Sequence, residues 1–158
     1  IVINSASKSF NMTGWRIGWI THPEELGSHI AKLVQITTTG VPEFLQNGLI
    51  SALKNYKTIT HDLRLSLKKS RDLVFDRLVE WKQIECSIPD AAFYAFFKVK
   101  GMKDSLDFAK NLIVKTNVGV APGIAFGNSG EGHLRICFAA KESFINNIMD
   151  RLEPVLNK

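Results

Sequence analysis

Apolar and polar residues follow one another along this chain with two different periods, which predict two kinds of secondary structure. Short apolar or alternating segments bounded by turn residues are typical of strands, and they lie at residues 1–4, 16–21, 92–99, 118–121 and 133–139. Apolar residues spaced three or four apart are typical of amphipathic helices, which we predict from residue 23, from residue 42, and at 58–81, 105–116 and 143–156. Strands and helices are interspersed, so the pattern predicts an α/β fold.

The same pattern predicts which faces are buried. Residues 1–3 are all apolar, which is typical of a short buried strand. The helix from residue 23 has one apolar side, formed by Leu26, Ile30, Leu33 and Val34. The helix from residue 42 has a comparable stripe at Phe44, Leu45, Leu49, Ile50 and Leu53. The closing helix has one at Phe144, Ile148, Leu152 and Leu156. We expect all of these side chains to face a core.

Charge and composition narrow the range of functions that the chain could have. The 158 residues include 20 Lys or Arg and 15 Asp or Glu, but both signs are dispersed, so we expect no nucleic-acid partner despite the net charge of +5. No apolar stretch is long enough to span a membrane. Cys86 and Cys137 lie far apart without a CxxC pattern, which favours free thiols and a cytoplasmic location. The four histidines are scattered, so we predict no metal site.

The chemistry is concentrated in the first twenty residues. Lys8 follows an apolar segment and has serines on both sides, and Arg16 comes next between Gly14 and Gly18. A lysine amine can form a Schiff base with a carbonyl, and serine hydroxyls and a guanidinium can bind a phosphate. Binding of pyridoxal phosphate needs both an amine for its aldehyde and donors for its phosphate. The alternatives are a solvated loop lysine and a P-loop, and the P-loop is excluded because no glycine precedes Lys8.

Segments 5–8 (Ser-Ala-Ser-Lys) and 12–18 (Met-Thr-Gly-Trp-Arg-Ile-Gly) resemble the pyridoxal-phosphate attachment signature of the class I/II aminotransferases. These are the fold-type-I enzymes that include aspartate aminotransferase. The resemblance implies that Lys8 is the Schiff-base lysine and that Ser5 and Arg16 bind the phosphate of the cofactor. It extends through nearly the whole chain.

Arg135 is the second candidate site residue. Strand alternation places it on the face opposite Leu134 and Ile136, and a buried arginine needs an anion, which could be an internal carboxylate. Segments 120–127 and 134–136 resemble the family's Pro-Gly-x-x-Phe-Gly and Arg-Ile segments, which implies that Arg135 binds the substrate α-carboxylate. Segment 89–94 resembles Pro-x-Gly-x-Phe-Tyr, except that Ala91 replaces a glycine that lies near the substrate in relatives.

The resemblance also implies the domain organisation. Members of the family are much longer than this chain, with the signature lysine past their midpoint. We therefore expect a C-terminal portion, in which residues 1–72 are the end of the large domain of the pyridoxal-phosphate transferase fold, with a linking helix, and residues 73–158 are the small C-terminal α+β domain. Other parts of the cofactor site precede the lysine in relatives, so we expect this segment alone to be inactive.

The implied activity of the full-length protein is transfer of an amino group between an amino acid and a 2-oxo acid. The resemblance further implies a homodimer, with residues 37–42 near the neighbouring subunit. Two alternatives stay open at this point. One is another pyridoxal-phosphate activity of this fold, of the β-lyase or cyclopropane-carboxylate synthase type. The other is the aminotransferase-like domain of a transcription regulator.

Overall fold

The computed structural model describes residues 1–158 and contains six strands and six α-helices. The strands are β1 (Val2–Ser5), β2 (Gly18–Thr21), β3 (Ile84–Glu85), β4 (Tyr94–Val99), β5 (Ala121–Pro122) and β6 (His133–Cys137). The helices are α1 (Ala6–Ser9), α2 (Gly27–Thr37), α3 (Glu43–Lys54), α4 (Tyr56–Leu78), α5 (Ser105–Thr116) and α6 (Glu142–Leu156). Short 3-10 turns lie at Thr13–Trp15, Glu24–Leu26, Gly123–Phe126 and Asn128–Gly130. The chain divides into two compact units, Ile1–Arg64 and Leu65–Lys158. None of the helices combines the length and apolar character that crossing a membrane requires.

The first unit is built on an antiparallel ribbon of two strands. β1 and β2 pair from Val2 opposite Thr21 to Ser5 opposite Gly18. The polar turn between these strands folds back onto a small apolar cluster. Its buried members are Ala6, Met12, Ile17, Leu49 and Ala52. This core explains the position of the turn, because three of the five residues belong to the segment between the two strands.

Three burial predictions in this unit are wrong. Ile1 and Ile3 are each 75% exposed, although the sequence predicts a buried strand there. α2 contains no buried residue, and Phe44 of α3 is 72% exposed. The reason is that β1 pairs only with β2, and no further layer within this unit covers the ribbon or the apolar side of α2.

The second unit has a four-stranded antiparallel sheet in the order β3-β4-β6-β5. Side chains from one face of this sheet pack against the C-terminal half of α4 and against α5 and α6. The core they form includes Phe75, Ala95, Phe97, Leu112, Leu134, Met149 and Leu152, all 3% exposed or less. Arg77 of α4 forms ion pairs with Asp150 and Glu153 of α6. The prediction of an α/β fold is confirmed.

Local signals in α5 explain its boundaries. Asp104 caps the first turn by accepting a hydrogen bond from the Asp107 N–H at 2.8 Å, and Asn117 ends the helix in the left-handed region with φ 55°. The predicted bounds, 105–116, are those of the structure. Ser105, the first residue of the helix, is fully buried, and its hydroxyl accepts a hydrogen bond from the Ile124 N–H at 3.1 Å.

Candidate active site

The turn that carries Lys8 is held at both ends by hydrogen bonds. Ser5 caps the short helix α1, because its Oγ accepts a hydrogen bond from the Ser7 N–H at 3.0 Å. The Ala6 N–H donates to the carbonyl of Ile17 at 3.1 Å, which ties the start of α1 to the residue before β2. Lys8 lies three residues after Ser5, within α1, and is exposed. The local chain therefore presents the lysine from a constrained turn.

Arg16 is positioned by an uncommon backbone conformation. Its φ is 51°, in the left-handed region that non-glycine residues seldom adopt, and its Nη1 donates to the carbonyl oxygen of Thr13 at 3.3 Å. Two residues later, Gly18 pairs with Ser5, and a Cβ at Gly18 would lie 2.6 Å from the carbonyl oxygen of Asn4. Glycine is thus required there for the ribbon to close. The pairing brings Ser5, Lys8 and Arg16 to the same end of the ribbon.

These side chains fit the cofactor that the sequence predicts. A hydroxyl, an ammonium group and a guanidinium lie on one loop, and they are the donor types that bind a phosphate. Ser5, Lys8 and Arg16 are all exposed at the surface of this unit. The structure contains no group of three or more His, Cys, Asp or Glu side chains that could hold a metal ion.

The tryptophan of the signature segment has a packing role. Trp15 lies in the 3-10 turn before Arg16, and its ring sits against Gly48 of α3, where even a methyl group would collide with it. Met12 is buried beside this turn. Gly48 had no distinguishing signal in the sequence, because a glycine within a helical pattern shows that a close contact is possible but not with which residue.

Arg135 belongs to the second unit, where it lies on β6. Leu134 and Ile136 are buried in the core, which confirms the predicted alternation, and Arg135 is half-buried on the opposite face of the sheet. It pairs with Phe96 of β4 on one side and with Ala121 of β5 on the other. The ion pairs of the chain involve other residues, so the internal carboxylate partner considered from the sequence is absent within this chain.

Two aromatic rings contact the Arg135 guanidinium instead. Its central carbon Cζ lies 4.2 Å from the ring centroid of Tyr94 and 4.3 Å from that of Phe126. Both distances are typical of cation–π contacts. Both residues belong to segments singled out in the sequence, but their contact with Arg135 depends on strand pairing and was not predicted.

The loop that carries Phe126 is anchored by a partly buried polar network. The Glu131 Oε1 accepts hydrogen bonds from the Ser105 N–H at 2.7 Å and the Gly132 N–H at 2.9 Å. These bonds, the one from Gly132 first, lower the pKa of the Glu131 carboxyl below its ordinary value. Gly123 and Gly130 approach so closely that a Cβ on either would collide with the backbone of the other. The loop geometry is therefore closely determined.

The sequence of this chain matches a family of known proteins. The sequence profile described as "Aminotransferase class I and II" matches residues 1–152. The chain is 38% identical over 152 residues to the LL-diaminopimelate aminotransferase of Natranaerobius thermophilus, covering 96% of this chain and 39% of that protein. It is 33% identical over 159 residues to an aspartate aminotransferase of Pyrococcus horikoshii, covering 99% of this chain and 41% of the relative.

A solved structure agrees with the sequence matches. The crystal structure of an aromatic aminotransferase from Pyrococcus horikoshii superposes with a TM-score of 0.90 at 32% identity, over 98% of this chain and 42% of that one. The chain spans about two fifths of the length of the relatives it matches. The profile match over nearly the whole chain, supported by the shared fold, shows that this chain belongs to the class I and II aminotransferase family.

Proposed function

We propose that the full-length protein containing this chain is a pyridoxal-phosphate-dependent aminotransferase, which moves an amino group between an amino acid and a 2-oxo acid. The observation that carries this proposal is the arrangement of Ser5, Lys8 and Arg16 at one end of the β1–β2 ribbon. Relatives are named as aminotransferases of LL-diaminopimelate and of aspartate. The names of the relatives do not favour the β-lyase, synthase or regulator alternatives.

Each residue has a distinct proposed role in cofactor binding. Ser5 and Arg16 would hold the cofactor phosphate, Ser5 through its hydroxyl and Arg16 through its guanidinium. Lys8 would form the covalent bond to the cofactor through its Nζ. When bound, pyridoxal phosphate supplies an electron sink for the bonds of the substrate α-carbon.

In the reaction, Lys8 and Arg135 act on the substrate. The Lys8 Nζ would be the base that takes the proton of the substrate α-carbon and returns it. Arg135 would bind the α-carboxylate through its N–H donors, which fixes the orientation of the substrate and so selects the bond that reacts. Its half-buried position strengthens such a charge-assisted contact, because nearby protein displaces part of the solvent.

We also propose the organisation that the resemblance implies. Residues 1–72 would be the end of the cofactor-binding domain and residues 73–158 the small domain, in a cytoplasmic homodimer. Apolar residues of α2 are exposed, among them Leu33 at 61% and Ile36 at 82%. Their exposure supports the proposal that another protein surface covers this side of the chain, next to residues 37–42. Sedimentation of the full-length protein tests the dimer, and a fully active monomer would contradict it.

The proposed function is tested by locating the cofactor chemically. The full-length protein is loaded with pyridoxal phosphate, reduced with borohydride and mapped by mass spectrometry. We expect a pyridoxyl group on Lys8, its loss in Lys8→Ala, and its retention in Lys54→Ala, which changes an exposed lysine at the end of α3. Transfer from L-aspartate, L-phenylalanine or LL-diaminopimelate to 2-oxoglutarate is then assayed. Modification of another lysine, or no transfer from any of these donors, would refute the proposal.

A further inference from the structure

The guanidinium of Arg135 is contacted by rings that come from elements on either side of its own strand. β6 lies between β4 and β5 in the sheet. Tyr94 begins β4, and Phe126 ends the 3-10 turn that follows β5. Each ring centroid lies within 4.3 Å of the Arg135 Cζ. The side chain is therefore restrained by residues from two separate parts of the chain.

Aromatic contact leaves the hydrogen-bonding capacity of an arginine intact. The guanidinium is planar and directs its five N–H donors outward in its own plane, whereas a ring over its face uses none of them. A ring also reduces the rotational freedom of a long side chain, which otherwise loses much conformational entropy on binding a ligand. An arginine held in this way is prepared to bind a planar anion by two parallel hydrogen bonds.

Phe126 is itself held in position. Its ring meets that of Phe96 edge to face, with 5.9 Å between centroids. Its loop is anchored by the Ser105–Glu131 hydrogen bond and by the close approach of Gly123 to Gly130. The position of the Phe126 ring over Arg135 is therefore fixed by contacts of the ring and of its loop.

We propose that Tyr94 and Phe126 form an aromatic clamp that sets the orientation of Arg135 for binding a substrate carboxylate. The two rings are positioning residues, because they act through Arg135 and not on the reacting atoms. This inference rests on the proposed function, in which Arg135 binds the α-carboxylate. It adds that the affinity for any carboxylate substrate depends on two uncharged rings.

The test removes one ring at a time in the full-length, cofactor-loaded protein. Phe126→Leu and Tyr94→Leu remove a ring, whereas Phe126→Tyr and Tyr94→Phe keep one and serve as matched controls. The substrate is the best donor among L-aspartate, L-phenylalanine and LL-diaminopimelate. We expect each ring-removing variant to raise KM roughly fivefold, with kcat and cofactor content within about twofold, because one cation–π contact is lost. The ring-keeping variants should stay within about twofold.

A second measurement uses ligands that do not react. Binding of succinate and of 3-phenylpropanoate is measured by titration calorimetry. Their Kd values should rise by about the same factor in Phe126→Leu and Tyr94→Leu as KM does. Phe126 is 47% exposed, so we expect its variant to fold. If thermal unfolding shows that one of the two leucine variants does not fold, the remaining leucine variant is compared with its own ring-keeping control, and that comparison decides the question.

A double-mutant cycle shows whether the rings act through Arg135. Phe126→Leu should have less than a twofold effect on KM when Arg135 is already changed to Ala. An equal effect in both backgrounds, or unchanged KM in both ring-removing variants while Arg135→Ala is impaired, would overturn the clamp alone. If Arg135→Ala itself leaves KM and the succinate Kd unchanged, the carboxylate role of Arg135 fails, and the clamp fails with it.

Discussion

The two units of this chain differ in how much of their apolar surface they bury by themselves. In Leu65–Lys158, one face of a four-stranded sheet is covered by helices, and the core includes residues from α4, α5, α6, β4 and β6. In Ile1–Arg64, five residues are buried, while Ile3, Leu33, Ile36 and Phe44 are exposed. The predicted cofactor residues lie in Ile1–Arg64, the unit with the small core. Arg135 lies in Leu65–Lys158, the unit with the large core.

This difference teaches that site geometry and hydrophobic burial are separable. The turn around Lys8 is determined by caps, strand pairing and two glycine contacts, which are local and need few buried side chains. Arg135 is determined by strand register across a complete sheet. Substitutions should therefore have different consequences in the two units.

The largest effect should come from the arginine. Arg135→Lys keeps the charge but removes the planar fork of donors, and losing such a contact typically costs about 2–5 kcal/mol, or roughly one and a half to three and a half powers of ten in kcat/KM. Cofactor content should be unchanged, because the predicted cofactor residues lie in the other unit. Steady-state kinetics of the full-length protein with Arg151→Lys as control checks this. Unchanged kcat/KM would make Arg135 a structural residue.

A substitution in the core of one unit should reduce the free energy of unfolding more than a substitution at an exposed apolar residue of the other. Leu152 of α6 is fully buried, so Leu152→Ala should reduce the free energy of unfolding by about 2–5 kcal/mol. Leu33→Ala, at a 61% exposed position of α2, should change it by less than about 0.5 kcal/mol. Urea denaturation of the chain 1–158, followed by circular dichroism, measures both. Equal losses would mean that the apolar side of α2 is buried in the folded chain.

Gly48 provides a smaller effect whose sign can be reversed. A methyl group at Gly48 would collide with the Trp15 ring, and overpacking typically costs about 1–3 kcal/mol, more than the roughly 1 kcal/mol that alanine contributes to a helix over glycine. Gly48→Ala should therefore destabilise the first unit and shift the Trp15 fluorescence. In a Trp15→Leu background the same change should stabilise. Stabilisation in both backgrounds would show that the ring moves aside freely.

The smallest effect concerns the loop that carries Phe126. The folded-state pKa of Glu131 is lowered, so its contribution to stability is present above the ordinary value of 4.5 and is lost as the pH falls through the lowered value. Glu131→Gln should destabilise at neutral pH and weaken the acid dependence of urea unfolding. Glu80→Gln, at an exposed position after α4, is the control. Identical acid dependence in Glu131→Gln and the unsubstituted chain would contradict this.

The sequence alone was sufficient where the signal is local. The apolar spacing predicted the bounds of α5 to the residue, and the structure shows that Asp104 and Asn117 mark its ends through local side-chain and backbone preferences. The alternation of Leu134, Arg135 and Ile136 predicted which side of β6 is buried, because side chains in a strand point to opposite faces. The signature around Lys8 likewise depends on residues only a few positions apart.

The tertiary structure decided which apolar side chains find a partner. In α6 the stripe included Phe144, which is 59% exposed, and missed Ile145 and Met149, which are buried. The periodicity of a helix defines an apolar side to within a residue or so, but only the neighbouring sheet determines which part of that side is covered. The contacts of Arg135 with Tyr94 and Phe126, and of Trp15 with Gly48, join residues distant in sequence, and no local preference specifies them.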